Sequence, residues 1–149
     1  MAIINLTQHA ATPEQIADGV VDLPPDLRAT LTKLLAFDTL PTIHVIVERA
    51  QAIALLAATW LDSQPHPDKY GHGGTALAEA LIGGAPFLMT PLEHTLIDHA
   101  LEPVYAFSKR VSVEEPQPDG SVRKVNVFKH AGFVRVYEPY DFVQLRNGV

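Results

Sequence analysis

Apolar and polar positions recur along this chain with two different periods, and each change of period marks an element boundary. Ala2–Leu6 is an apolar run of strand length. Thr12-Pro13-Glu14-Gln15 then supplies a helix start, with Thr as N-cap, Pro at the first helical position and Gln as capping-box partner. That helix ends near Gly19. Pro24-Pro25-Asp26 opens a second, in which Leu27, Leu31, Leu34 and Leu35 recur at i, i+4, i+7 and i+8.

Over Pro41–Leu61 two signals conflict. The β-branched Ile43, Val45, Ile46 and Val47 favour a strand. Yet Ile43, Ile46, Val47, Ala50, Ile53, Ala54, Ala57 and Leu61 form one helical stripe, with His44, Glu48 and Gln51 opposite. A period sustained along the whole segment outweighs propensity in its first turns, and it is predicted helical.

Asp62–Thr75 is a polar loop rich in Pro, Gly and His. Ala76–Ile82 reads as a strand entering Gly83-Gly84-Ala85-Pro86. A helix follows to about Ala100, using Leu92, Leu96 and Ile97, and either Pro91 falls in its first turn or the helix begins there. Pro103–Phe107 is a buried strand. Val111, Val113, Val125 and Val127 then alternate with polar residues around Pro118-Asp119-Gly120, a β-hairpin signature, and Phe133–Tyr137 reads as a last strand. The order predicts a single Rossmann-like α/β domain over residues 1–149, three-layered, with a parallel core sheet and a C-terminal antiparallel hairpin extension.

Composition narrows the function classes. Hydrophobic residues at 47% and charged residues at 19% describe a globular chain. With no cysteine there is no disulfide framework, thiolate nucleophile or cysteine-ligated zinc. The N-terminus lacks a secretory pattern, and no stretch is expected to span a bilayer, so the cytosol is the expected compartment and no membrane partner is expected. A net charge of −6 argues against general duplex nucleic-acid binding through counterion release. The charge is uneven: residues 1–102 hold 4 Lys+Arg and 12 Asp+Glu, giving −8, and residues 103–149 hold 7 and 5, giving +2. An anion can therefore be held locally on the C-terminal third.

In open parallel sheets, ligands bind beyond the carboxyl ends of the strands. That rule gathers three stretches: Thr7-Gln8-His9 after the first strand, Gly83-Gly84 after the second, and Ser108-Lys109-Arg110 after the third. Hydroxyl, amide and imidazole would face a glycine turn at a helix N-terminus and two cations, a set that suits phosphate. His130, near Lys129, would join if the hairpin folds over the strand ends. Asn5 is read as a buried strand residue able to position the Thr7 loop. His66-Pro67-Asp68-Lys69-Tyr70-Gly71-His72 matches no established zinc spacing and is read as a solvated loop. No metal and no cofactor are expected, and neither the dinucleotide fingerprint nor the phosphate-loop motif occurs.

The stretch Asn5-Leu6-Thr7-Gln8-His9…Thr12-Pro13-Glu14-Gln15 resembles the opening of small stand-alone ring nucleases and related CARF-like proteins of type III CRISPR systems. Ile82–Leu96 resembles their second nucleotide-facing loop. The resemblance covers those two segments only. It implies a Rossmann-like fold, a homodimer, a cyclic oligoadenylate ligand and metal-independent cleavage by attack of a ribose 2′-hydroxyl on the adjacent phosphodiester. His9 would then be the general acid or base, Lys109 and Arg110 would stabilise the phosphate charge, and Thr7, Gln8, Gly83, Gly84, Ser108 and His130 would bind ligand. Three functions stay open on sequence alone: a phosphodiesterase, a nucleotide-binding module without catalysis, and a non-catalytic interaction protein of a mobile element or defence system. For the last, Val111–Phe128 would be the contact surface.

Overall fold

The computed structural model describes residues 2–65 and 78–137. Its elements, in chain order, are β1 (Ile3–Asn5), α1 (Pro13–Ala17), β2 (Val20–Asp22), α2 (Pro25–Leu35), α3 (Ile43–Ser63), β3 (Ala78–Leu81), α4 (Pro86–Asp98), β4 (Leu101–Pro116) and β5 (Val122–Arg135). The strands form one mixed sheet in the order β2-β1-β3-β4-β5. The first four run parallel, and β5 returns antiparallel along β4. The α/β class, the mostly parallel sheet and the C-terminal antiparallel pair agree with expectation. The His66–His72 stretch lies outside the described residues.

Side-chain alternation on these short strands splits the core in two. Ile4, Leu6, Ala78, Ala80, Ile82 and Leu101 face α2, α3 and α4, and the main core forms there with Leu31, Ala50, Ile53, Ala57, Leu88, Leu92 and Leu96. On the other face Ile3, Val20, Leu81 and Val104 make a small cluster, joined by Ala11 and Phe133.

Helix α3 confirms the periodic reading of its segment. Thr42 caps it, its hydroxyl accepting from the Val45 amide. Its small buried residues Ala50, Ala54 and Ala57 let it approach its neighbours closely. Arg49 reaches back to the Leu34 and Ala36 carbonyls just at and beyond the end of α2, at 3.0 and 2.6 Å. One expectation is corrected: at 21 residues and a mean hydropathy of 1.2, α3 is long and apolar enough to cross a bilayer by length and composition. One face of it, Ala50, Ile53, Ala54 and Ala57, packs into the main core, and Glu48 and Gln51 are exposed on the other.

The sequence reading missed β2, a three-residue strand squeezed between Gly19 and Pro24. It also divided one strand into two. β4 does not stop at Phe107 but continues to Pro116, and the expected final strand is the end of β5. Only Leu101–Val104 of β4 pair with β3. From Tyr105 onward its sole strand partner among the described residues is β5, so the two strands leave the sheet as a ribbon. A register shift at Phe107/Ser108 and a φ of +143° at Gly132 mark the bend at its root. Two side-chain bonds tie that root down: Arg135 to Glu79 of β3 at 2.6 Å, and His130 to Asp18 after α1 at 2.8 Å.

The core and the ribbon should respond differently to truncation. Leu92→Ala, at a fully buried position, is expected to lose about 2–5 kcal/mol in chemical denaturation. Val122→Ala, near the ribbon tip, should stay within about 0.5 kcal/mol of the parent.

Candidate functional site

At the carboxyl ends of β1 and β3, beside Tyr105 and Ala106 in the first half of β4, lies a cleft of about 480 Å³, within the size range of small-molecule sites. Its polar rim is Thr7, Gln8, His9, Thr12 and Gln15, its floor Leu81, Ile82, Gly83 and Gly84, and its wall Tyr105 and Ala106. Two of the three stretches that topology gathers therefore share one cavity.

The rim is built on Asn5. This buried side chain accepts from both the amide and the hydroxyl of Thr7, at 3.0 and 2.7 Å. Its Nδ2 donates to the His9 carbonyl at 2.8 Å and to Asp22 at 2.7 Å. Asp22 in turn accepts from the Ala11 amide at 3.1 Å, closing the loop onto β2. Thr12 and Gln15 form the expected capping box, each side chain accepting from the other's backbone amide.

These bonds decide what the rim can offer. The Thr7 hydroxyl has one hydrogen, and its shortest acceptor is Asn5, so towards the cleft it presents lone pairs. It can accept from a ligand N–H or O–H, not donate to phosphate. The Tyr105 hydroxyl donates to Glu93 at 2.7 Å. Burial, reinforced by that bond and the Glu93 charge, pushes the phenol well above its ordinary value. Tyr105 therefore contributes a neutral ring, not a base. By contrast, among the described residues the backbone N–H groups of Gln8, His9, Gly83 and Gly84 donate to no protein acceptor. All four residues line the cleft.

The third predicted stretch is elsewhere. Ser108, Lys129 and His130 line a second cleft of about 300 Å³ with Thr12, Glu14, Gln15, Val111, Val113, Val127 and Phe128. The two clefts adjoin at Thr12 and Gln15. Lys109 and Arg110 line neither: they sit on the ribbon because β4 runs on past Phe107. Lys109 lies directly opposite Lys129, and the Arg110 guanidinium stands 5.7 Å from the centre of the Phe128 ring. Among the described residues no lysine or arginine lines the larger cleft, and the group of basic type there is His9.

His130 stands apart from the larger cleft, in the smaller one. Its side chain is 9% exposed, its Nε2 meets Asp18, and its Nδ1 is buried without a partner. The tautomer with hydrogen on Nε2 completes the Asp18 bond and leaves Nδ1 a bare lone pair, the less costly atom to bury. Residue spacing could not reveal Asp18, because the contact spans 112 positions. Tyr105 and Asp22 likewise carried no local signal.

A family model described as Uncharacterized protein MJ1673 family matches residues 1–134. The chain belongs to that family. The matched stretch of this MJ1673-family chain holds every residue lining either cleft. No curated protein and no solved structure matches the chain.

Asn5→Ala is expected to lose about 1–3 kcal/mol and to speed hydrogen exchange at the Thr7 and Ala11 amides, since Asp22 and the Thr7 N–H lose a buried partner. The two glycines should separate. At Gly84 φ is +149°, so Gly84→Ala is expected to cost about 1–3 kcal/mol in strain. At Gly83 an added Cβ meets Thr7 Cγ2 at 3.7 Å, ordinary contact, so Gly83→Ala should fold with near-parental stability in the same denaturation series.

Proposed function

We propose that this protein binds a nucleotide in the larger cleft, with cyclic oligoadenylate the ligand class to which its Asn5–Gln15 and Ile82–Leu96 segments point. The observation that carries the reading is the convergence of two loops on one cavity. Uncommitted backbone donors of Gln8, His9, Gly83 and Gly84 lie beside an apolar floor and a neutral aromatic ring. The floor and Tyr105 suit a base and ribose; the N–H groups suit phosphate oxygens. A Rossmann-like sheet that places its ligand beyond the strand ends is in keeping with this.

The chemistry we assign to the site is metal-independent phosphodiester cleavage. The ribose 2′-oxygen bonds to phosphorus, the bond from phosphorus to the 5′-oxygen breaks, and a 2′,3′-cyclic phosphate and a 5′-hydroxyl result. His9, on the rim, is the group able to take the proton from the 2′-hydroxyl or deliver one to the leaving oxygen. Backbone donors, rather than Lys109 and Arg110, would carry the developing charge.

Thermal-shift titration with adenosine mononucleotides and cyclic oligoadenylates, followed by product analysis, tests this. A bound ligand at a hundredfold excess over its Kd should add about 2.7 kcal/mol of stability. His9→Ala is expected to retain the shift and lose at least about a hundredfold in cleavage rate. Lys109→Ala should change neither, because it lies outside the cleft. A shift without product in the parent protein reduces the assignment to a binding module; no shift with any phosphate ligand overturns it.

A further inference from the structure

The larger and smaller clefts share Thr12 and Gln15, which line both. The capping box uses the acceptors of this pair and leaves its donors. The Thr12 hydroxyl oxygen accepts from the Gln15 amide, and the Gln15 Oε1 accepts from the Thr12 amide. The Thr12 hydroxyl hydrogen and the two Nε2 hydrogens of Gln15 have no acceptor among the described residues. The sill between the clefts is thus a place for an acceptor such as a phosphate oxygen.

The smaller cleft, about 300 Å³, lies between α1 and the ribbon. Its ribbon wall is apolar, with Val111, Val113 and Val127 beside the Phe128 ring. Phe128 is 72% exposed, so much of this wall is wet. Glu14 and Lys129 bring one charge of each sign, and neither forms an ion pair among the described residues. A planar base can cover the apolar wall. The Glu14 carboxylate can accept from a ribose hydroxyl or an amino group, and it disfavours a phosphate inside this cleft. Base and ribose belong in the cleft, and the phosphate on the sill.

We infer that the two clefts form one extended site, in which the smaller takes a second nucleotide unit. A phosphate resting on Thr12 and Gln15 joins that unit to the first. The inference rests on the nucleotide reading of the larger cleft and deepens it: one chain binds two linked units. Once the first unit is held, the second reaches its cleft at high effective concentration, so its contacts add to affinity without a second association cost.

Isothermal titration calorimetry on the full chain tests this with adenosine monophosphate and the linear dinucleotide pApA. Both carry 2′-O-methyl groups, so no 2′-hydroxyl is available to attack phosphorus. The parent is expected to bind pApA at least about tenfold more tightly than the mononucleotide. Val127→Asp should bind the mononucleotide as the parent does and lose the gain, with circular dichroism as the control for folding. Gln15→Glu leaves the ribbon untouched and keeps the oxygen that caps α1, but replaces the amide donors, and should also lose the gain. Lys129→Ala should lower pApA affinity about fivefold. Lys124→Ala, on the ribbon outside both clefts, should change nothing. A parent that binds the mononucleotide but gains nothing from the second unit overturns this inference and leaves the nucleotide reading in place. A gain that survives Val127→Asp, Gln15→Glu and Lys129→Ala also overturns it, because the second unit then lies elsewhere. A parent that binds neither ligand overturns the nucleotide reading and this inference with it.

Discussion

The upper end of the sheet depends on one carboxamide. Asn5 has two lone pairs and two N–H hydrogens to offer, and the structure uses all four: two from Thr7, one to His9, one to Asp22. The path of the chain from β1 to α1 is thereby wound around a single side chain buried at 3% exposure. An apolar residue of similar size could fill the space but would leave the Thr7 amide without its acceptor and take one of its donors from Asp22. An aspartate would set a second carboxylate where Asp22 now accepts a hydrogen bond. The direction of Thr7, Gln8 and His9, and so the shape of the cleft, follows from this amide more than from the residues that line it.

That dependence explains what the sequence disclosed and what it withheld. Elements long enough to repeat their period were legible: α3 declared itself over five turns despite its β-branched start, and the capping box at Thr12 and Gln15 is local chemistry. The meeting of Thr7-Gln8-His9 with Gly83-Gly84 was legible because each follows a strand directly, and parallel strands bring their ends together. Val20–Asp22 is too short to show any period. Ser108-Lys109-Arg110 misled for a physical reason. Where β4 leaves the sheet its side chains become exposed, so the polar residues that mark the exit look like a strand end. The bonds that fix the ribbon root, His130 to Asp18 and Arg135 to Glu79, join positions 112 and 56 apart, and no pattern in the chain anticipates them.

The placement of charge then separates two jobs that the sequence seemed to combine. Residues 1–102 carry −8 and residues 103–149 carry +2, yet the cations nearest the site in sequence stand on the ribbon and not in the cleft. An anion held in the cleft would therefore rest on dipoles: N–H groups of two loops and the uncapped start of α4, where Ala85 provides no side-chain hydrogen bond. Dipoles fixed by a scaffold need no reorganisation when charge develops, whereas a lysine on a long stem must be ordered first. Recognition by such a site should depend weakly on salt, since few counterions leave when the ligand binds. His130, bolted to Asp18 with its second nitrogen sealed off, sets the angle at which the ribbon leaves the sheet. The same bond joins β5 to the end of α1, the two elements between which the smaller cleft lies.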